Sequence, residues 1–133
     1  ATHSDLGGLV VLSIDNETDI LDGMEMLLSG WGCRVLRATG SAEISSLPSN
    51  PTPDLILADY HLSGENGFEA VVTARTHFER EIPAILVTAD RSKNVMNEAT
   101  ERDIAVLNKP VRPARLRLAI SRYRKPPDAD AAE

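Results

Sequence analysis

The sequence predicts an α/β domain built on an open parallel β-sheet, and two observations carry that prediction. Short, continuous apolar runs recur at residues 9–14, 55–58, 84–87 and 104–107. Such runs are typical of strands buried on both faces of a parallel sheet. Stretches with apolar residues at helical spacing separate them, so strands and helices alternate as in βα units. Five such units fit the length of the chain.

Length and charge limit the classes of function. With 133 residues the chain is long enough for one domain. We expect a flexible linker at residues 1–8, a folded domain at 9–124 and a disordered tail at 125–133. The net charge of -6 disfavours direct binding of nucleic acid, and no apolar stretch predicts membrane contact. The single cysteine, Cys33, cannot form an internal disulfide and suggests a reducing compartment.

The first half of the chain gives two helices and an edge strand. The first helix follows from apolar residues at helical spacing: Ile20, Leu21, Met24, Leu27, Leu28 and Trp31. The second strand, residues 33–38, carries Arg34 and Arg37, which places it at the sheet edge. Ser41 is predicted to cap a short second helix that Pro48 terminates.

The second half gives three more helices. The third should span residues 66–78 and the fourth residues 93–102, and the fifth should begin at Pro113, a residue suited to a first helical position. The third helix is predicted to bury Phe68, Val71, Val72 and Phe78. The fourth is predicted to bury Val95, Met96 and Ala99, and the fifth Leu116, Ala119, Ile120 and Tyr123.

Polar side chains follow four of the strands. Asp15, Asp59, Thr88 and Lys109 would converge, since ligands bind at the carboxyl ends of strands in open α/β sheets. Two neighbouring carboxylates repel unless a cation enters, and Mg²⁺ prefers oxygen ligands. A lysine and a hydroxyl could hold phosphoryl oxygens while Asp59 acts as nucleophile. The pattern predicts a phosphoryl-transfer site.

These motifs resemble the receiver domain of two-component response regulators. The resemblance rests on Ile-Asp-Asn-Glu at 14–17, on Asp59 with Gly67 eight positions later, on Val-Thr-Ala at 87–89, and on Lys109-Pro110. It implies a flavodoxin-like (βα)5 doubly wound sheet of strand order 2-1-3-4-5, with helices on both faces.

The resemblance also implies the function and the roles of the site residues. Asp59 would accept a phosphoryl group from a phosphohistidine in the presence of Mg²⁺, with self-catalysed phosphorylation and dephosphorylation. Thr88 and Lys109 would contact the phosphoryl oxygens, and a cis peptide would join Lys109 to Pro110. The metal ligands would be Asp15, Asn16, Asp59 and the backbone carbonyl of His61.

The chain departs from the family pattern at three places. Asn16 stands where a second acid is usual, which predicts weaker Mg²⁺ affinity. Val106 stands where many members carry an aromatic residue coupled to the threonine, so any output change must be smaller or differently transmitted. Ser63 and Gly64 stand where a proline is common, which predicts a looser loop over Asp59.

Residues 106–113 resemble the carboxyl-terminal receiver of a hybrid sensor histidine kinase. The implied partner is a histidine kinase core or a histidine phosphotransfer protein, in the cytoplasm whether or not the parent chain is membrane-anchored. The predicted docking residues are Ile20, Gly23, Pro110 and Val111. Ile20 is equally consistent with a core position. We expect a monomer or a weak dimer.

Three alternatives remain open at the level of sequence. A phosphatase with an aspartyl intermediate would need a second Asp two residues after the nucleophile, where this chain has His61. A degenerate receiver would bind a protein or regulate a kinase without phosphorylation; Asn16 and Val106 favour it, and the intact strand-end residues oppose it. A flavin-binding protein would need a Ser/Thr/Gly-rich loop after the first strand, which is absent.

Overall fold

A parallel sheet of five strands forms the centre of the domain. The computed structural model describes residues 6–124. The sheet strands are β1 (Val10–Ile14), β2 (Arg34–Ala38), β3 (Leu55–Asp59), β6 (Ala84–Thr88) and β7 (Ala105–Asn108), in the order β2-β1-β3-β6-β7. Two further strands, β4 (His61–Leu62) and β5 (Glu65–Asn66), pair separately as an antiparallel hairpin. The predicted flavodoxin-like topology is confirmed, because these five strands in chain order pair as 2-1-3-4-5.

In the described part of the chain, five helices cover the sheet and bury two hydrophobic clusters. They are α1 (Thr18–Gly30), α2 (Ser41–Ser45), α3 (Gly67–Phe78), α4 (Lys93–Glu101) and α5 (Pro113–Ser121). One cluster joins the sheet to α2, α3 and α4, and we call that side the α3–α4 face. The other joins it to α1 and α5. Strand side chains alternate between the faces, so successive residues such as Val11 and Leu12 of β1 belong to different clusters.

Strand β2 lies at one edge of the sheet, as its arginines predicted. The Arg37 guanidinium contacts the Asp22 carboxylate at 2.7 Å and the Glu25 carboxylate at 2.9 Å. Both acids belong to α1, so the edge strand is tied to the neighbouring helix by charge as well as by packing. These ion pairs are half-exposed and contribute little individually.

Two local predictions are wrong. Val72 is 49 % exposed. Helix α3 packs on the sheet through the face that carries Ala70, Val71 and Ala74, so Val72 faces outward. Ser41 does not cap α2: Gly40 occupies the N-cap position, and Ser41 is the first helical residue.

The domain begins earlier than the sequence predicted. Leu6 is fully buried in the α1/α5 cluster, and the Gly8 amide donates to the Gly32 carbonyl at 3.2 Å. Residues 6–8 therefore pack with the domain instead of forming a linker. Residues 1–5 and the proposed tail at 125–133 lie outside the described residues. Within residues 6–124, no helix combines the length and hydropathy needed to cross a bilayer.

Candidate functional site

Asp59 and Lys109 form the centre of the site. Asp59 is the last residue of β3 and is only 7 % exposed, while Lys109 directly follows β7. The Lys109 Nζ atom lies 3.1 Å from the Asp59 Oδ1 atom. A charge-assisted contact of this length orients the carboxylate and leaves its second oxygen for another partner. The structure therefore brings together the predicted nucleophile and its predicted cation.

Asp15 adds a second buried carboxylate to this edge of the sheet. It follows β1, is 5 % exposed, and its Oδ1 atom accepts a hydrogen bond from the Glu17 amide at 2.9 Å. Burial raises the pKa of Asp15, and the nearby Asp59 carboxylate raises it further, against the lowering effects of the Glu17 amide and Lys109. Two acids facing one lysine favour the entry of a cation.

The donor set around these acids fits a magnesium ion. Asp15 and Asp59 supply two buried carboxylates; within residues 6–124, no group of three or more His, Cys, Asp or Glu side chains is placed to hold a metal. Mg²⁺ commonly uses one or two carboxylates, further oxygens and water. The Asn16 amide nitrogen donates to the Ser63 hydroxyl at 3.3 Å, which ties this residue to the loop after β3. The predicted set of Asp15, Asn16, Asp59 and the His61 carbonyl is therefore chemically suitable.

Thr88 ends β6 at the same edge and is fully buried. Its hydroxyl accepts a hydrogen bond from the Asp90 amide at 2.9 Å, and its carbonyl accepts one from the Lys109 amide at 2.9 Å. The second bond links Lys109 directly to the end of β6. A hydroxyl that accepts one bond keeps its proton for another acceptor, so Thr88 can still donate to a ligand oxygen.

The loop beyond Asp59 forms a closed hairpin. Ser63 and Gly64 form the turn between β4 and β5, and Gly64 has the positive φ of 75° that a tight turn requires. The Glu65 carboxylate accepts hydrogen bonds from the backbone amide of Ser41 at 2.9 Å and from the Ser41 hydroxyl. The hairpin is thereby fastened to the start of α2. No local pattern reveals this pair, whose members are 24 residues apart.

Gly67 explains the fixed spacing after Asp59. It is the first residue of α3, and its amide donates to the Tyr60 carbonyl at 2.8 Å. A Cβ atom at this position would lie 2.5 Å from the Asp59 carbonyl oxygen and 2.7 Å from a methyl group of Leu86. Only glycine lets the helix start this close to the strand that carries Asp59.

An apolar groove of about 560 Å³ opens beside the site. Three of the predicted docking residues, Ile20, Pro110 and Val111, line it, together with Met24 and Leu116. Ile20 is 44 % exposed, which excludes the alternative that it is a core residue. Gly23 does not line the groove, although nothing lies within 4 Å of a Cβ built there. The Lys109–Pro110 peptide is cis, as the resemblance implied.

His61 and Val106 lie at the margins of the site. The His61 ring is exposed, with its Nε2 atom 3.9 Å from an Asp90 carboxylate oxygen. The pKa of Asp90 is lowered mainly by hydrogen bonds from Ser92, and only slightly by His61. Val106 is half-buried against the cluster on the α3–α4 face.

Comparison with known proteins assigns the family. The sequence model of the response regulator receiver domain family matches residues 11–121. This chain is a response regulator receiver domain. A curated relative, the transcriptional regulatory protein ZraR of Klebsiella oxytoca, is 28 % identical over 112 residues, which are 84 % of this chain and 25 % of that protein. The receiver domain thus spans a quarter of that relative's length.

Solved structures of other receivers share its fold. A CheY-like receiver domain protein of Methanospirillum hungatei JF-1 superposes with a TM-score of 0.73 at 26 % identity, covering 87 % of this chain and 93 % of that one. The chemotaxis protein CheY4 of Vibrio cholerae gives a TM-score of 0.76 at 22 % identity, covering 88 % and 99 %. The similarity to CheY4 shows a shared fold and nothing more.

Proposed function

We propose that this receiver domain is a phosphoacceptor in a two-component phosphorelay. An Asp59 carboxylate oxygen attacks the phosphorus of a phosphohistidine. The P–O bond forms as the P–N bond breaks, and the histidine nitrogen leaves with the bonding electrons and takes up a proton. The observation that carries this proposal is the 3.1 Å contact between Asp59 and Lys109 beside a second buried carboxylate.

Each strand-end residue has a distinct part in that transfer. Lys109 neutralises charge on the phosphoryl oxygens, and the Thr88 hydroxyl donates a hydrogen bond to one of them. Positioning and charge neutralisation supply most of the catalysis of phosphoryl transfer. When bound, Mg²⁺ would neutralise further phosphoryl charge. Its ligands would be Asp15, Asn16, Asp59 and the backbone carbonyl of His61.

The test is the mass of the intact domain after incubation with acetyl phosphate, a small phosphoryl donor. We expect a single phosphoryl adduct that requires Mg²⁺ and is absent in Asp59→Ala. Absence of an adduct from a folded domain, with a phosphohistidine donor also failing, would favour the degenerate receiver that only binds proteins. Sustained release of phosphate from many esters would favour a phosphatase.

The proposed partner is a histidine kinase core or a histidine phosphotransfer protein. The apolar groove at Ile20, Pro110 and Val111 supports it, because it opens directly beside Asp59. We propose that the domain acts in the cytoplasm as the carboxyl-terminal receiver of a hybrid sensor histidine kinase, as a monomer or weak dimer. The residues at 106–113 support that context.

Two surface substitutions on α1 test the groove. Ile20→Asp should slow transfer from a phosphohistidine protein by about tenfold while leaving phosphorylation by acetyl phosphate unchanged, since a charge in an apolar contact is costly. Met26→Asp is the matched control, because Met26 is 78 % exposed on the same helix and does not line the groove. Equal slowing in both variants would reject the groove as the docking surface.

A further inference from the structure

Asn108, the last residue of β7, carries a buried oxygen without a hydrogen-bond partner among the described residues. Its Oδ1 atom is shielded from solvent and accepts no hydrogen bond. Burying an unbonded carbonyl is unfavourable, so strand positions beside a core are normally apolar. The neighbouring strand shows which donor this oxygen could reach.

Thr88 lies directly beside Asn108 on the sheet, because the two residues are register partners of β6 and β7. Leu86 and Val106, two residues earlier on each strand, lie on the α3–α4 face. Side chains alternate along a strand, so Thr88 and Asn108 occupy that same face. Neighbouring strands are about 4.8 Å apart, which brings the two side chains within reach of each other.

The hydrogen-bonding needs of the two residues are complementary. In the described part of the chain, the Thr88 hydroxyl takes part in one hydrogen bond, as the acceptor from the Asp90 amide. It is fully buried, and its proton is therefore a donor without an acceptor. The Asn108 carbonyl is an acceptor without a donor. A side-chain rotation is the movement needed to join them, since the strand register fixes both backbones.

We propose that Asn108 is a positioning residue whose Oδ1 atom competes with the phosphoryl group for the Thr88 hydroxyl. The two side chains are not hydrogen-bonded in the structure; after a side-chain rotation the Oδ1 atom accepts a hydrogen bond from the Thr88 hydroxyl, and it loses that bond when the hydroxyl turns to donate to the phosphoryl group on Asp59. The proton stays on Thr88 throughout, and only its acceptor changes. The inference rests on the phosphoacceptor function proposed above.

This exchange gives the domain a way to pass a structural change from the phosphorylated site to β7 without an aromatic residue at position 106. Val106 is too short to follow a movement of Thr88 by swinging its side chain. Asn108 loses its partner when Thr88 turns, so it must rearrange. It lies on β7, the edge strand on the side of α4 and α5, and it directly precedes Lys109. The signal would therefore leave the site along β7.

The test measures the affinity for beryllium fluoride, a phosphoryl analogue, in the presence of Mg²⁺ by amide NMR titration. Asn108→Leu has nearly the same shape without the carbonyl, so it removes the competitor for the Thr88 hydroxyl. We expect about fivefold tighter binding, the change that one neutral hydrogen bond supports. Val106→Ala is the matched control, since it alters packing on the same face of β7 and should leave the affinity within about twofold. If Asn108→Leu does not fold, Asn108→Val replaces it, because valine also lacks the side-chain carbonyl.

A double-mutant comparison separates positioning from packing. In a Thr88→Val background, which lacks the hydroxyl, Asn108→Leu should change the affinity by less than about twofold. Tightening of equal size in both backgrounds, or none in either, would overturn the inference. If Thr88→Val binds too weakly to titrate, the rate of adduct formation with acetyl phosphate gives the same comparison. A parent domain that forms no adduct would instead refute the phosphoacceptor function itself.

Discussion

Gly67→Ala tests the close approach of α3 to the strand that carries Asp59. The new Cβ would lie 2.5 Å from the Asp59 carbonyl oxygen and 2.7 Å from the Leu86 methyl group. The leucine can rotate away, but the carbonyl belongs to β3 and cannot. Overpacking a buried site costs about 1–3 kcal/mol, and we expect a loss of about 2 kcal/mol in the free energy of unfolding because backbone must shift. That loss corresponds to a fall in Tm of about 8 °C for a domain of this size.

The assay is urea unfolding followed by far-UV circular dichroism, with adduct formation measured on the same samples. Gly30→Ala is the matched control, because it lies in α1 with nothing within 4 Å of the added carbon. The control should be unchanged or more stable by up to about 1 kcal/mol. Gly67→Ala should also form the adduct more slowly, since moving the start of α3 displaces Asp59. A Gly67→Ala domain as stable and as reactive as the parent would refute the reasoning.

Two further predictions concern the acids of the metal site. Asn16→Asp should tighten Mg²⁺ binding by roughly tenfold in calorimetric titration, because it adds a ligand charge; unchanged affinity would mean that position 16 does not contact the metal. Asp15→Asn should stabilise the metal-free domain at pH 7, because the pKa of Asp15 is raised by burial and the folded state disfavours its ionised form. That gain should shrink as the pH falls through the raised pKa toward the ordinary value of 3.8, and urea midpoints against pH would show it. A pH-independent gain would assign it to packing instead.

The sequence predicted the architecture because each strand and helix carries a local pattern. Buried parallel strands are continuous apolar runs, and Arg37 could lie only on an edge strand. The convergence of Asp15, Asp59 and Lys109 followed from the rule that polar residues at the carboxyl ends of parallel strands share one edge. Those predictions needed no knowledge of contacts between distant residues.

The features that escaped prediction depend on such contacts. Val71 and Val72 are adjacent valines, and sequence alone does not say which of them faces the sheet. Leu6 stands among small and polar residues without periodicity, although it is fully buried. The attachment of Glu65 to Ser41 joins β5 to the start of α2, two elements far apart in the chain. The buried carbonyl of Asn108 lies beside Thr88 because β7 pairs with β6, a contact that the sequence does not specify.

The most direct test of the account is to locate the phosphoryl group. Borohydride reduction of the phosphorylated domain converts an aspartyl phosphate to homoserine, which peptide mass spectrometry then places in the chain. We predict homoserine at position 59 alone, formed only when Mg²⁺ and the phosphoryl donor are both present. Phosphate retained on His61 or Ser63, with residue 59 still aspartate, would contradict the claim that the strand-end residues form one phosphoryl-acceptor site.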